Sequence, residues 1–305
     1  MKNWTTKDIP PQAGQLAVVT GGTGGLGFEI ALALAGTGAE VVLAGRNAEK
    51  GRAAVEKIER AKPIGKVHFE PLDLANLASI HAFSDRLKEQ NRTLNLLVNN
   101  AGLASPKRRV TADGFELQFG TNHLGHFALT GLLLPLLRRG QSSRVVTLSS
   151  QGHRGGKINF DDLQGEKAYK AFAAYPQSKL ANLLFALELQ RQSDAHGWGI
   201  MSTAAHPGFA RTELMSNAGG GVMVLLSKLL APFASQSAAE GALSALFAAT
   251  SPDAAPMGYY GPANLFEMKG PVAPASIAKQ AKDEAIARKL WKVSERLTSV
   301  YFPAA

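Results

Sequence analysis

Leu16-Ala17-Val18-Val19-Thr20-Gly21-Gly22-Thr23-Gly24-Gly25-Leu26-Gly27 is the stretch on which the fold turns. Its first five residues are apolar or β-branched and read as a buried strand, and a helical pattern starts at about Gly25 and runs to Gly36. Five glycines lie between or across the two elements. Helix N-termini present unpaired amides and partial positive charge, and glycines let a backbone turn sharply and come close to a ligand. A glycine turn placed between an apolar strand and a helix therefore reads as a seat for a pyrophosphate.

The same alternation continues outward. Short apolar runs at 41–44, 67–69, 94–98, 144–148 and 200–204 read as further strands, and 258–261 as the start of a short seventh. Helical patterns fill 48–61, a segment through Phe83 and Leu87, 114–139, 174–191 and 236–249. Strands alternating with helices imply an α/β fold, a single doubly wound parallel sheet of about seven strands with helices on both faces. The expected division is an N-terminal extension 1–14, a main domain 15–262 with a mobile substrate lid at about 213–236, and a C-terminal extension 263–305. In that extension Ile286, Leu290, Val293 and Leu297 recur at helical spacing and predict an amphipathic helix.

The chain has 305 residues, 45% of them hydrophobic and 19% charged, which is enough apolar material for a large core and excludes a disordered or fibrous protein. Cysteine is absent, which excludes disulfides, thiolate metal sites and cysteine nucleophiles together. The net charge of +9 comes with one short basic run, Lys107-Arg108-Arg109, and no aromatic stacking pattern, so no nucleic-acid partner is expected. No signal peptide and no membrane-spanning run is read, and the segment 222–234 is short and broken by Lys228 and Pro232. A cytoplasmic location is expected.

The glycine spacing, Gly21-x-x-x-Gly25-x-Gly27, resembles the short-chain dehydrogenase/reductase family, and the resemblance runs from Gln15 to about Gly261. It implies a Rossmann-type fold and a dinucleotide held by Gly21, Thr23, Gly25, Leu26 and Gly27. Gly45 stands where relatives that use NAD carry aspartate, and Arg46 follows. A guanidinium can grip a ribose 2′-phosphate, so NADP(H) is expected over NAD(H). By the same resemblance Asp73 and Leu74 border the adenine, Asn100-Ala101-Gly102 shape the cleft, and Pro207, Gly208 and Thr212 lie at the nicotinamide.

Tyr175-x-x-x-Lys179 places a phenol and an amine one helical turn apart on one face. A nearby ammonium favours the phenolate, which makes tyrosine a usable proton donor or acceptor near neutral pH. Resemblance gives Ser150 the role of orienting the substrate oxygen, with Ser149 still open, and gives Asn122 a proton-relay role. A long Ser–Tyr segment, with Gly156-Lys157-Ile158-Asn159-Phe160, Asp162-Leu163-Gln164 and Asn122-His123-Leu124-Gly125-His126-Phe127, is similar to the branch that includes retinol dehydrogenases. His123 and His126 have no third ligand nearby in sequence, so no metal is expected.

The expected activity is hydride transfer between NADP(H) and a bulky hydrophobic ketone, aldehyde or alcohol. Ser150, Tyr175 and Phe209 would touch that substrate, in a pocket from Phe209 through Met215 to Phe233 with Leu103, Gly152 and His153 opposite. A catalytically silent NADP-sensing or scaffold protein is the alternative. A homodimer or homotetramer through the helices at 114–139 and 174–191 is expected from the resemblance.

Overall fold

The computed structural model describes residues 3–140, 142–209 and 236–304. One eight-stranded sheet, ordered β3-β2-β1-β4-β5-β6-β7-β8, forms its centre. The strands are β1 Leu16–Thr20, β2 Glu40–Gly45, β3 Val67–Pro71, β4 Leu96–Asn99, β5 Arg144–Leu148, β6 Met201–Ala205, β7 Tyr259–Asn264 and β8 Lys269–Pro274. All neighbours pair in parallel except β7 and β8, which make an antiparallel hairpin. The eighth strand goes unread in the sequence because Gly270, Pro271 and Pro274 look like loop. An edge strand tolerates them, since only one side needs its hydrogen bonds.

Among the described residues the longer helices are α1 Gly25–Gly36, α2 Ala48–Arg60, α3 Leu77–Glu89, α4 Gly125–Leu137, α5 Ala171–His196, α6 Ala238–Thr250 and α7 Glu284–Thr298. Successive strand residues point to opposite faces. Ala17, Val19, Val41 and Leu43 pack with α1, α2 and α6. Leu16, Val18, Val42 and Leu97 pack with α3, α4 and α5. Both faces of the sheet are thus covered, as the near-continuous apolar strands require. The N-terminal segment joins the first layer: Ile9 is buried and Trp4 meets Phe247 edge-on at 5.5 Å.

The expected single helix over 114–139 is broken. Gly114 sits at φ +84°, and only Leu117–Phe119 and α4 are α-helical. Between them Gly120–Leu124 forms a π-helical turn. The amide side chain of Asn122 clamps the Leu103 backbone in both directions, accepting from its N–H at 2.8 Å and donating to its carbonyl at 2.9 Å. This tertiary contact fixes the place of the widened turn, and no hydropathy period carries it.

At the other end of the chain, α7 and the tail lie over α4 and α5. Trp291 meets Phe127 at 5.1 Å and stacks on Phe185 at 5.8 Å, while Phe302 meets Phe127 at 5.1 Å. Val300 and Phe302 also close on Gly131. The chain's own C-terminus therefore covers the helix faces that the sequence reading gives to a subunit interface, and α5 is buried without a break over 177–190. The buried stripe of α7 is Ala287, Leu290, Trp291, Ser294 and Thr298. It is rotated by about one residue from the predicted one, because the large Trp291 takes the centre. No helix among the described residues is long and apolar enough to cross a membrane.

Candidate active site

The strand order reverses between β1 and β4, and the carboxyl edge at such a reversal is the usual ligand site of these sheets. Thr20, the last residue of β1, fastens this edge. Its hydroxyl accepts from the amides of Asn100 at 2.9 Å and Ala101 at 3.0 Å, and the Asn100 side chain donates to the Thr20 carbonyl at 2.7 Å. Asn100 and Ala101 therefore tie β4 to β1. Gly21 follows at φ +65°, with Ala101 and Asn100 packed closely against it. A β-carbon on Gly27 would run into the Gly21 carbonyl and come within 2.6 Å of Asn100 Nδ2, so α1 can seat against the turn only with glycine there.

The other expected dinucleotide residues divide into two groups. Gly45 lies beside Thr23, where a β-carbon would be 3.2 Å from Thr23 Cγ2, and Arg46 is exposed next to it. Asp73 caps its own turn, accepting from the Ala75 N–H at 3.0 Å. Leu74 is buried in the core under α4 and its carbonyl abuts Gly125, so it supports the cleft from beneath. Gly208 has φ +62° and is packed against Pro262 and the Met268 carbonyl, and the Pro207 carbonyl accepts from Gln236 at 2.7 Å. Thr212 and the lid expected at about 213–236, apart from Gln236, lie outside the described residues, as do Met215 and Phe233.

Four expected catalytic side chains arrive on three segments. Tyr175 and Lys179 share one face of α5, with Lys179 Nζ 5.8 Å from the Tyr175 ring centroid. Lys179 is buried and donates to the Leu148 carbonyl at 3.3 Å. That burial pushes its ammonium down to about 8. Burial also pushes the Tyr175 phenol up, and the Ser150 hydroxyl beside it acts in the other direction. The lowering by Lys179 expected from the sequence is not what shapes the phenol in this geometry. Gly102 brings the other two groups close: a β-carbon there would stand 3.1 Å from Lys179 Nζ and 3.5 Å from Asn122 Oδ1.

The two serines of the pair point in different directions. Ser149 points into the protein and donates to the Lys179 carbonyl at 2.8 Å. Ser150, two residues beyond β5, caps the short turn Gln151–Gly155, accepting from the Gly152 N–H at 3.1 Å, and borders Tyr175. Gly152 faces the same space, with its β-carbon position 3.5 Å from Ser150 Oγ and 3.6 Å from Tyr175 Cε1. His153, expected on the pocket wall, is instead fully buried, with Nδ1 on the Ser150 carbonyl at 2.6 Å.

One further group is not legible from motif spacing. His126 Nδ1 bonds the Asn122 carbonyl at 2.9 Å and its Nε2 bonds Thr20 Oγ1 at 2.8 Å. Because the Asn122 carbonyl can only accept, Nδ1 carries the proton, and Nε2 accepts from the Thr20 hydroxyl, whose other acceptor is the Val98 carbonyl at 3.3 Å. His123 points elsewhere, to Ser294 Oγ at 2.9 Å. The two imidazoles therefore do not converge.

Residues 15–220 match the family model described as short chain dehydrogenase. The chain is a short-chain dehydrogenase/reductase. It is 41% identical to polyprenol dehydrogenase of Danio rerio over 297 residues, covering 96% of this chain and 89% of that protein. It is 38% identical to retinol dehydrogenase 12 of Mus musculus, covering 97% of this chain and 89% of that one. Among solved structures, an uncharacterized protein from Mycobacterium paratuberculosis superposes with a TM-score of 0.83 at 40% identity, over 99% of this chain and 100% of that chain. The Pseudomonas aeruginosa RhlG/NADP complex shares the fold, with a TM-score of 0.65 at 24% identity over 82% of this chain and 96% of that one.

This short-chain dehydrogenase/reductase is thus an oxidoreductase of a family that works on alcohol or carbonyl groups with a nicotinamide coenzyme. Its residues fit such a coenzyme. A β-carbon on Gly24 would meet nothing within 4 Å, so space lies in front of α1. Helix α1, with Gly24 at its N-cap, has no side-chain cap, as is also true of α4 and α5, whereas Asn47, Asn76, Ser237 and Asp283 cap α2, α3, α6 and α7. Its first amides are left for phosphate oxygens.

Proposed function

We propose that the protein is an NADP(H)-preferring carbonyl reductase or alcohol dehydrogenase acting on a bulky hydrophobic ketone, aldehyde or alcohol. The observation that carries this reading is a linked set of side chains: Lys179 and Asn122 meet at Gly102, Ser150 and Tyr175 meet at Gly152, and Lys179 stands 5.8 Å from the centre of the Tyr175 ring.

When bound, the nicotinamide supplies or takes up the hydride. The protein's part is position and proton. In reduction the Tyr175 hydroxyl gives its proton to the substrate oxygen, and in oxidation the phenolate takes it back. The Ser150 hydroxyl holds that oxygen in reach of the phenol. The charged form of Lys179 binds the nicotinamide ribose, one helical turn from the phenol. Asn122, its side chain spent on Leu103 and on Ser178 Oγ at 3.0 Å, holds the loop that delivers Gly102, and its backbone is assigned the family's relay role.

Preference for NADP(H) is supported by Gly45, which leaves no carboxylate beside Thr23, and by the exposed Arg46. The hydrophobic substrate class is supported by relatives named for polyprenol and retinol. The test is steady-state turnover of cyclic, aryl and alkyl carbonyls with NADPH and NADH, in wild type and Tyr175→Phe. The variant should keep coenzyme affinity and lose roughly 10²- to 10⁴-fold in turnover, the usual span for a positioned acid–base group. Near-normal turnover would sink the mechanism.

A further inference from the structure

The β7–β8 hairpin ends in a tip whose backbone and side chains are at odds with a passive turn. Leu265, Phe266 and Glu267 follow one another in the left-handed region, at φ +49°, +56° and +65°. Each such residue costs about 1–2 kcal/mol when it carries a β-carbon, and glycine would remove the cost. Strain of this kind persists where the surroundings over-determine it and the side chains serve a purpose.

Glu267 has a visible purpose, since it locks the tip. Its carboxylate accepts from Arg154 at 2.6 Å, from buried His206 at 3.1 Å and from the Ser276 N–H at 3.0 Å. Gln151 Nε2 adds a bond to the Phe266 carbonyl at 2.6 Å, and the Phe209 N–H donates to the Met268 carbonyl at 2.8 Å. The tip is therefore riveted on one side to the loop that follows Ser150 and on the other to the segment His206-Pro207-Gly208-Phe209. It lies at the carboxyl end of β7, the same edge of the sheet as the glycine turn.

Leu265 and Phe266 have no such internal purpose. Phe266 is 88% exposed and Leu265 48%, and no other large apolar side chain among the described residues is as open as Phe266. A rigid, strained support thus presents a phenyl ring to solvent beside the serine and nicotinamide segments. We propose that Phe266, with Leu265, is a specificity-determining wall at the mouth of the substrate site, against which the hydrocarbon part of an apolar substrate lies. This rests on the carbonyl/alcohol reading above and names the part of the substrate that the chain selects.

The test compares butanal with decanal, each reduced by the full-length protein with NADPH, in wild type and Phe266→Gly. Glycine relieves the strained position, so the variant should unfold at the same temperature or higher. Its kcat/KM for decanal should fall about tenfold further than for butanal, through KM, as one face of a ring is lost from the contact. Glu267→Gln, which loosens the support, should move the same ratio in the same direction by less. An unchanged decanal-to-butanal ratio in Phe266→Gly, with turnover present, overturns this proposal alone. Absence of turnover with every aldehyde, and of the reverse reaction with the alcohols, overturns the enzyme reading and this inference with it.

Discussion

Lys179 turns its ammonium to the Leu148 carbonyl at 3.3 Å and stands 5.8 Å from the centre of the Tyr175 ring. The amine that should support the phenol is thus buried with a single acceptor among the described residues, and burial holds it down at about 8. Reduction needs a protonated phenol and a charged amine. The phenol is pushed up and so stays protonated at neutral pH, which leaves Lys179 as the group that titrates in range. We expect kcat/KM for reduction, with saturating NADPH, to be flat near pH 6–7 and to fall as pH rises through about 8. Lys179→Arg, always charged, should move that limb up by more than one pH unit even where its plateau is low. A limb that stays in place in the arginine variant would assign the titration to another group.

Ser149 and Ser150 should separate in the same assay. Ser150→Ala removes a hydroxyl beside the phenol, so turnover should fall roughly 10²-fold with the melting temperature little changed. Ser149→Ala removes a buried bond to the Lys179 carbonyl, so stability should drop by about 1 kcal/mol while turnover stays within a few-fold. Equal kinetic losses in both variants would place the two hydroxyls in one function.

The proposed preference for NADP(H) rests on the place where Gly45 approaches Thr23 and Arg46 opens to solvent. Gly45→Asp puts a carboxylate where a 2′-phosphate would sit and a 2′-hydroxyl could be bound. The ratio of kcat/KM for NADPH to that for NADH should fall by about a hundredfold, the product of a lost attraction and a new repulsion. Arg46→Ala alone should lower it by about tenfold. An unmoved ratio would assign discrimination to residues elsewhere.

Legibility followed the range of the interactions involved. The span of β1 and the glycine turn, and the bounds of α1, were readable because local apolar runs and glycine geometry decide them. Tyr175-x-x-x-Lys179 was readable because helical spacing alone puts both on one face. The π-helical turn at Gly120–Leu124 was not, since a contact between Asn122 and Leu103, distant in sequence, makes it. The burial of the Leu74 side chain is not legible, because packing under α4 decides it. Nor is the docking of Trp291 and Phe302 on Phe127 of α4, which depends on where α7 and the tail settle. Glu267 carried no motif at all; its role comes from a hairpin tip that brings Arg154 and His206 together.

The same long-range packing sets the acid limit of the fold. Burial holds His123 down to about 3 and His126 to about 4, the latter helped by the nearby charge of Lys179. The unfolded chain takes up protons on both rings as pH falls through about 6.5, while the native chain does not until about 4 or below. Native stability from these groups is therefore fully present above about 6.5 and drains away as pH falls toward 4, by several kcal/mol in total as an order of magnitude. The urea midpoint should decline from pH 7 to 4.5, and His126→Gln and His123→Leu should each flatten that decline, whatever they cost at pH 7. Since a glutamine amide in place of the His126 ring could still donate to the Asn122 carbonyl, His126→Gln removes the titration with the least loss of the contact to the π-helical turn. A decline that keeps its full slope in both variants would shift the acid sensitivity to other groups, first of all His206, which burial holds down to about 4, and His153, which burial also pushes down.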